Sequence, residues 1–557
     1  MDKILTINDI IDEFVELEIK RSPSLKIALG NHDNHEEVDD YSYQGVQDEI
    51  NHINSFLEKL DKVQPKSKKE ALGKKVLTYD LLQSKKAIIS SIGIYQTGVI
   101  DSIFTDFNQD IEQINYDSIV DVKKYIEKLK NFAKELANYR ETLKIYSNLG
   151  VNNTSHNIDR LIFQAEKLIN EEYYKKYLQE NKYLNSEIEK EINESYDMLN
   201  QEIIEYINFL KNDLKPKARK SIGIGRDLYQ LAADINTEED IDLNELYNYG
   251  LNEVERLNNE IDQLHQMILP GSSREELVSY LDNHDLYKIK SKEELKNKLT
   301  SILELAVITL EEKIFEIDPK IKEIEIVLDD DSIDASPYYL QPSPDFKIKG
   351  KVVFPTMGKD EFSIWKYIST WFHESIPGHH LQVGNQLLNK KNLTSYQNKL
   401  AWHSAYGEGW ALHSENLANK LGYLDDPGYK LGYLQAQILR AARLVLDIGL
   451  HLELNDPEGR TWSHQRAVRY LREVVMLDEE EATSEIDRYL SIPGQALSYK
   501  VGERTWESLL MLAKQELKED FSPKKFYSHA LRLGSLPLDI FKDEMREYIL
   551  TEKLSNK

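Results

Sequence analysis

The chain has no cysteine among its 557 residues. That excludes disulfides, thiol nucleophiles and thiolate-bound zinc, and leaves histidine, aspartate and glutamate as the strong metal ligands. Positive charge is also short. Against 96 Asp and Glu stand 70 Lys and Arg, and a net charge of −26 argues against nucleic acid or an anionic membrane surface as a partner. No stretch stays uncharged for the length a bilayer crossing needs. The opening MDKILTINDIIDEFVELEIKRSPSL reads as a charged amphipathic helix. It has neither the apolar segment nor the small-residue cleavage site of a signal peptide, so a cytoplasmic protein is expected. Glycine and proline are scarce, 24 and 15, and they gather at the ends of helical patterns.

What fills the chain is helix. Apolar residues recur at helical spacing between charged ones, most clearly over Ile119 to Leu149, Ile188 to Leu214, Leu243 to Ile268 and Ser291 to Ile314. The apolar positions drift instead of keeping a strict heptad, which favours solvated helices in a bundle over a coiled coil. No repeat is visible at solenoid periods. The length suits two large subdomains or one large helical body. The acidic TEED near Asn236–Asp240 suggests a division into an N-terminal helical subdomain, 1–238, and a catalytic helical subdomain, 239–557. The helical pattern breaks between about Lys320 and Thr356. There IKEIEIVL alternates apolar with polar, SPYYLQPSPD has prolines suited to edge strands or loops, and KIKGKVVFPT is rich in β-branched residues. A small antiparallel sheet is expected at about 320–356. An edge strand there could pair with an extended peptide.

The chemistry concentrates after that sheet, in HESIPGHHLQ, His373 to Gln382. In the zinc motif H-E-x-x-H, two histidines one turn apart share a metal while the Glu acts as base. Here the fourth position after His373 is Pro377, so the motif is stretched. The preceding FSIWKYISTWF predicts a buried helix over Phe362 to Phe372. A buried His-Glu pair needs partners, because unpaired charge in a core is costly. His35-Glu36, in a polar and acidic loop, is by contrast a chance dipeptide. Pro377 forces a kink or bulge, and Gly378 lets the backbone turn. A two-residue bulge would aim His379 where the second ligand belongs. His380, seven residues from His373, would lie about 10 Å along an undistorted helix. It is kept as a group behind the ligands or as the alternative ligand.

Two histidines make a weak site. The segment GEGWALHSENLA offers Glu408 and Glu415, seven apart and nearly on one helical face, among the apolar and aromatic Tyr406, Trp410 and Leu412. The plain alternative is a helix with two solvated glutamates, and the apolar and aromatic surroundings weigh against it. Glu408 would complete a His-His-Glu set with an open fourth position, and Glu415 could orient a ligand histidine through its free ring N–H.

HESIPGHHLQ, EGWALHSE, DIGLH and PGQALSYKVG together resemble the bacterial family catalogued as domain of unknown function 885. DDYS at Asp39–Ser42 and LGSLPLD at Leu533–Asp539 extend the likeness over nearly the whole chain. By resemblance that family is grouped with gluzincin peptidases, similar to carboxypeptidase Taq and thimet oligopeptidase. The resemblance implies a mainly α fold, a large helical body with a deep groove, and a His-His-Glu zinc site whose third ligand matches Glu408, with Glu415 following. His413 stands where the family would have a Tyr.

Other groove residues follow. In YLQAQILRAARLVLDIGLHLEL, Leu434, Ile438, Ala441, Val445, Ile448 and Leu452 form an apolar stripe. Arg440, Arg443, Asp447 and His451 form a second stripe opposite. A solvated Arg/Asp face is the plain alternative, but the segment lacks the Lys/Glu mix of exposed helices. Arg440, Arg443 and His451 are therefore candidates for substrate contact, the arginines for a terminal carboxylate. Tyr499, in IPGQALSYKVG, is a candidate for stabilising an oxyanion, and Lys500 for carboxylate binding. Packing is an equally natural role for one of 32 tyrosines. The expected reaction is attack of a Zn2+-bound water on a short peptide or small amide. Zinc is held by His373, His379 and Glu408, and Glu374 is the general base. A non-peptide amide or ester substrate, or an inactive helical binding protein, are the competing expectations. The oligomeric state is not legible.

Overall fold

The computed structural model describes residues 5–96, 98, 101–179, 181–330 and 337–555. The first four residues of the expected N-terminal helix, and Ser336 at the head of SPYYLQPSPD, lie outside the described residues.

The long helices begin where a short polar side chain accepts from the first free N–H groups. Thr6, Ser118, Asn185, Asp242 and Ser291 cap the helices Ile7–Arg21, Ile119–Asn148, Ser186–Phe209, Leu243–Ile268 and Lys292–Lys313. Each such cap contributes about 1 kcal/mol. Thr6 and Ser118 form full capping boxes with Asp9 and Asp121. The helical expectation from periodicity is met, and a π-turn at Leu210–Leu214 continues the third of these helices.

The chain forms two compact units. The first runs up to Ala232 and takes in Leu450–Ser463 and Thr483–Pro493; the second holds the rest. A linear division at 238/239 does not express those two returning segments. In the first unit, the helices Ile119–Asn148 and Ser186–Phe209 pack lengthwise around an aromatic core. Phe107 and Phe132 stack with centroids 3.8 Å apart. This core also encloses a charge. Lys128 is fully buried, and its ammonium donates to Asp110 at 3.1 Å and to the Glu37 carbonyl at 3.0 Å. Ser24 Oγ donates to the same Asp110 oxygen at 2.9 Å.

The second unit carries the strands β1 (Lys288–Ile289), β2 (Ile324–Asp329), β3 (Tyr338–Leu340), β4 (Gly350–Pro355) and β5 (Phe362–Ser363). β1 and β5 pair antiparallel. The other three form a sheet in the order β2-β4-β3, with β3 antiparallel and β2 parallel to β4. β4 takes the centre because Val352, Val353 and Phe354 are buried in succession, as a strand covered on both faces requires. The expected helix over Phe362 to Phe372 starts later than its apolar run. Phe362 and Ser363 are claimed by β1, and the helix spans Tyr367–Glu374. The helix Ser404–Lys420 crosses Ser498–Leu517 at two glycines. A Cβ on Gly502 would lie 1.9 Å from the Ala405 carbonyl oxygen, and one on Gly409 2.4 Å from Gly502 Cα. The indoles of Trp410 and Trp506, 4.8 Å apart, seal this crossing. Among the described residues, no helix is long and apolar enough to cross a membrane.

Candidate metal centre

The stretched motif does not bulge a continuous helix; it separates two helices. Tyr367–Glu374 ends, Ser375 to Gly378 turn, and His379–Leu388 begins anew. The Ile376–Pro377 peptide within the turn is cis. Gly378 serves here by close approach and not by a left-handed backbone, since its φ is −73°. A Cβ there would lie 1.8 Å from the His373 carbonyl oxygen. The Ser404–Lys420 helix clamps the turn. Trp410 Nε1 donates to the carbonyls of Pro377 and Gly378 at 3.0 and 3.1 Å, and Ser414 Oγ to that of Pro377 at 3.2 Å.

The turn brings His373, His379 and Glu408 together, with one donor atom of each lying within 4.8 Å of the others. Glu408 Oε2 is 3.3 Å from His373 Nε2 and 3.8 Å from His379 Nε2. Zinc bonds of about 2.0–2.1 Å at tetrahedral angles set neighbouring ligand atoms roughly 3.3 Å apart, so the donors are spaced for such an ion. Glu408 Oε2 is buried, and the partners it faces are the two ring nitrogens, with no well-aligned hydrogen bond to either. His373 Nδ1 and Glu415 Oε1 are 2.8 Å apart, and Ser369 Oγ donates to the other Glu415 oxygen. With Nδ1–H given to Glu415, Nε2 faces the trio and would offer its lone pair to a metal ion once its own proton is displaced. Gln382 Oε1 stands 3.4 Å from His379 Nδ1 and can fix that ring in the same way.

The electrostatics suit two roles for carboxylates. Burial lifts the Glu374 carboxyl to about 7, with Glu408 and Glu415 adding to the rise and His373 and Arg440 opposing it. Burial also acts on Glu408, but its contact with His373 prevails, with His379 and Arg440 adding to it, and the carboxyl sits at about 2. His379 is lowered to about 4 by burial, keeping it in the neutral form a metal requires. Burial pulls His373 down as well, yet Glu408 and Glu415 outweigh it and raise it. Glu374 Oε1 lies 4.0 Å from His373 Nε2, at the edge of the trio.

His380 takes no part in the trio. Its Nε2 donates to the Ile321 carbonyl at 2.7 Å, and the Tyr339 hydroxyl of β3 donates to its Nδ1 at 3.1 Å. Burial lowers it to about 4. Both ring nitrogens are spent, one on the turn ahead of β2 and one on β3, so His380 ties the restarted helix to this region. His451 is likewise corrected: it belongs to the first unit, where its ring stacks on Tyr229, donates to the Tyr489 carbonyl at 2.9 Å and accepts from the Ile224 N–H at 3.3 Å. Lys500 is committed to Glu503 at 2.6 Å and Gln437 at 2.7 Å inside the unit, so it offers no free ammonium to a carboxylate. Tyr499 makes a shelf for cations: the Arg443 and Arg440 guanidinium carbons lie 4.7 and 5.9 Å from its ring centroid. Arg440 acts electrostatically on Glu374, Glu408 and Glu415. Asp447, from the same expected stripe, accepts from the Gly494 N–H at 2.9 Å and anchors the turn before Tyr499. His413 is enclosed between Glu507 at 2.9 Å and the Tyr527 hydroxyl at 2.7 Å.

Reading the sequence alone missed Ser369, Gln382, Trp410 and Ser414. Ser369 precedes His373 by one turn and Gln382 follows His379 by three, so helical spacing carried a signal for both. Nothing local signals that Trp410 and Ser414 hold a turn more than thirty residues away.

Two solved structures share the fold across nearly the whole chain. One is "the putative lipoprotein from Colwellia psychrerythraea", with TM-score 0.78 and 19% identity, covering 98% of this chain and 100% of that one. The other is "a putative lipoprotein of unknown function from Shewanella oneidensis", with TM-score 0.75 and 18% identity, covering 97% and 100%. The expected likeness to gluzincin peptidases such as carboxypeptidase Taq and thimet oligopeptidase gains no support. The Pyrococcus furiosus carboxypeptidase aligns at TM-score 0.36 and 12% identity over 90% of this chain and 99% of that one, too low to carry a shared fold. No curated protein matches. The family model described as "Bacterial protein of unknown function (DUF885)" matches residues 23–545, and the chain belongs to that family.

Proposed function

We propose that the chain is a zinc metallohydrolase that cleaves short peptides or small amides by adding water across a carbonyl–nitrogen bond. The observation that carries the reading is the convergence of His373, His379 and Glu408 donor atoms within 4.8 Å, with the Glu374 carboxyl at their edge. A zinc ion held by those three residues would supply Lewis acidity towards a carbonyl and make water easier to deprotonate. Glu374, buried with its carboxyl at the edge of the trio, is placed to take a proton from water there. The same carboxyl then returns the proton to the leaving nitrogen as the C–N bond breaks. Glu415 and Gln382 hold the two imidazoles with Nε2 facing inward. Arg440, half-buried beside the Tyr499 ring and already acting on the three glutamates, is assigned to hold a substrate carboxylate, whereas Arg443 is buried against that ring.

The test is Glu374→Gln, read by a peptide-library digest followed by mass spectrometry and by metal analysis. The variant should keep its zinc and lose turnover by about 10²–10⁴-fold, the range general base catalysis supplies. Full activity in the variant overturns the mechanism. Wild-type protein that takes up no stoichiometric zinc when it is supplied points instead to a helical binding protein.

A further inference from the structure

Five of the six tryptophans are buried, from 0 to 3% exposed; Trp402 is 52% exposed. So large an apolar side chain left open to water is an informative exception. Its place is not random. The indole centroid lies 6.1 Å from that of His379, tilted by 56°. The Tyr339 ring also neighbours His379, at 6.5 Å. Gly407, next to Glu408 in the chain, makes room for the indole: a Cβ there would lie 2.8 Å from Trp402 Cη2 and 2.9 Å from Cζ2.

The backbone presenting the indole is fixed. Before it, the Ala401 N–H donates to the Tyr396 carbonyl at 2.9 Å. After it, the His403 N–H donates to Ser535 Oγ at 2.9 Å, and His403 Nδ1 is 3.2 Å from Glu238 Oε1. The loop is thus bonded at both neighbours of Trp402, while the indole itself is left open beside a candidate ligand histidine.

We propose that Trp402 is a specificity-determining residue of this site: its indole is the platform for a bulky apolar or aromatic side chain adjoining the bond to be cleaved. The inference rests on the hydrolase reading above. A substrate carbonyl held at the trio brings its flanking side chains within reach of a ring 6.1 Å from His379. Aromatic rings pair well at such separations, and a preset indole loses little freedom on binding. Peptides with Phe or Leu beside the scissile bond are therefore favoured over those with Gly or Ser.

The lone exposed indole supplies its own reporter. Iodide quenches exposed tryptophan, so the quenchable part of the emission belongs to Trp402, and Trp402→Ala should remove it. Two pentapeptides serve as probes, one with a central Phe-Leu pair and one with Ser-Ser, each added to the zinc-loaded and the chelator-treated full chain. The Phe-Leu peptide should shield the quenchable emission at concentrations where Ser-Ser does not. In Trp402→Ala, the ratio of kcat/KM for Phe-Leu over Ser-Ser should fall about tenfold, as expected for a lost apolar contact, with zinc content unchanged. Shielding by neither peptide or by both equally, an unchanged ratio, or shielding that rises with protein concentration alone overturns the proposal; the last would mark a contact between copies of the chain. If neither peptide is hydrolysed, the hydrolase reading fails, and the shielding result judges the Trp402 platform separately.

Discussion

The two units bury charge in opposite ways. In the first, Lys128 is enclosed and its ammonium is met by Asp110, with Glu37 and Ser24 completing the set. In the second, Glu408 Oε2 is buried without a well-aligned hydrogen bond, and two imidazole nitrogens point at it. The first arrangement is closed: its groups satisfy one another, as buried charge must to be tolerated. The second is looser: its donor atoms face one another at 3.3 and 3.8 Å, close enough to share one cation. A buried charge cluster signals structure when its valences are spent within the protein, and a ligand when they are left over.

The sharpest test of the looser cluster separates the adjacent histidines. His379→Ala should abolish stoichiometric zinc binding, whereas His380→Ala should keep it and lose only stability, as metal analysis and thermal unfolding with added zinc would read. Zinc retained by His379→Ala and lost by His380→Ala would reverse the assignment. The closed cluster should respond through folding alone. Lys128→Met leaves a buried carboxylate unpaired and should cost about 3–5 kcal/mol in denaturant unfolding. Adding Asp110→Leu should recover much of that loss, with zinc content unaffected throughout. Weaker again is Glu415→Gln, which loosens the hold on His373 and should lower zinc affinity about 10–100-fold in competition with a chelator. The smallest effect should come from an ordinary ion network. Burial pushes Glu507 up, but His413 and Lys420 outweigh it and hold it at about 2. Its folded pKa is below the usual value, so its stabilising contribution is complete above about 4.5 and fades as pH falls towards 2. Glu507→Gln should flatten the acid limb of a stability–pH profile over that window, and an unchanged limb would remove the network from the account.

Much of this was written locally in the chain. Periodicity and capping residues place the long helices, because both act within a few residues. The trio was legible as residue types on two segments, a stretched His-Glu motif and a helix with two glutamates on one face. The geometry of the turn was less so. Pro377 announces a break, but two helices with Gly378 against the His373 carbonyl result because Trp410 clamps the turn from another helix. His380 could be set aside only once the Ile321 carbonyl was seen to take its proton. The stripe on Pro427–His451 misleads for a related reason. Arg443 and Asp447 are as buried as the apolar stripe, since both faces of the helix are covered, and its last residue belongs to the first unit. Spacing reports which residues share a face; it does not report how many faces are covered.

The glycine crossing that carries Glu408 has a last implication. Side chains can yield to a misplaced neighbour by changing rotamer; two main chains in direct apposition cannot. With Gly409 seated on Gly502, Glu408 enters the cluster from a position set by backbone against backbone. The reach of Glu408 towards the two histidines is thus gauged by a pair of residues with no side chain to adjust.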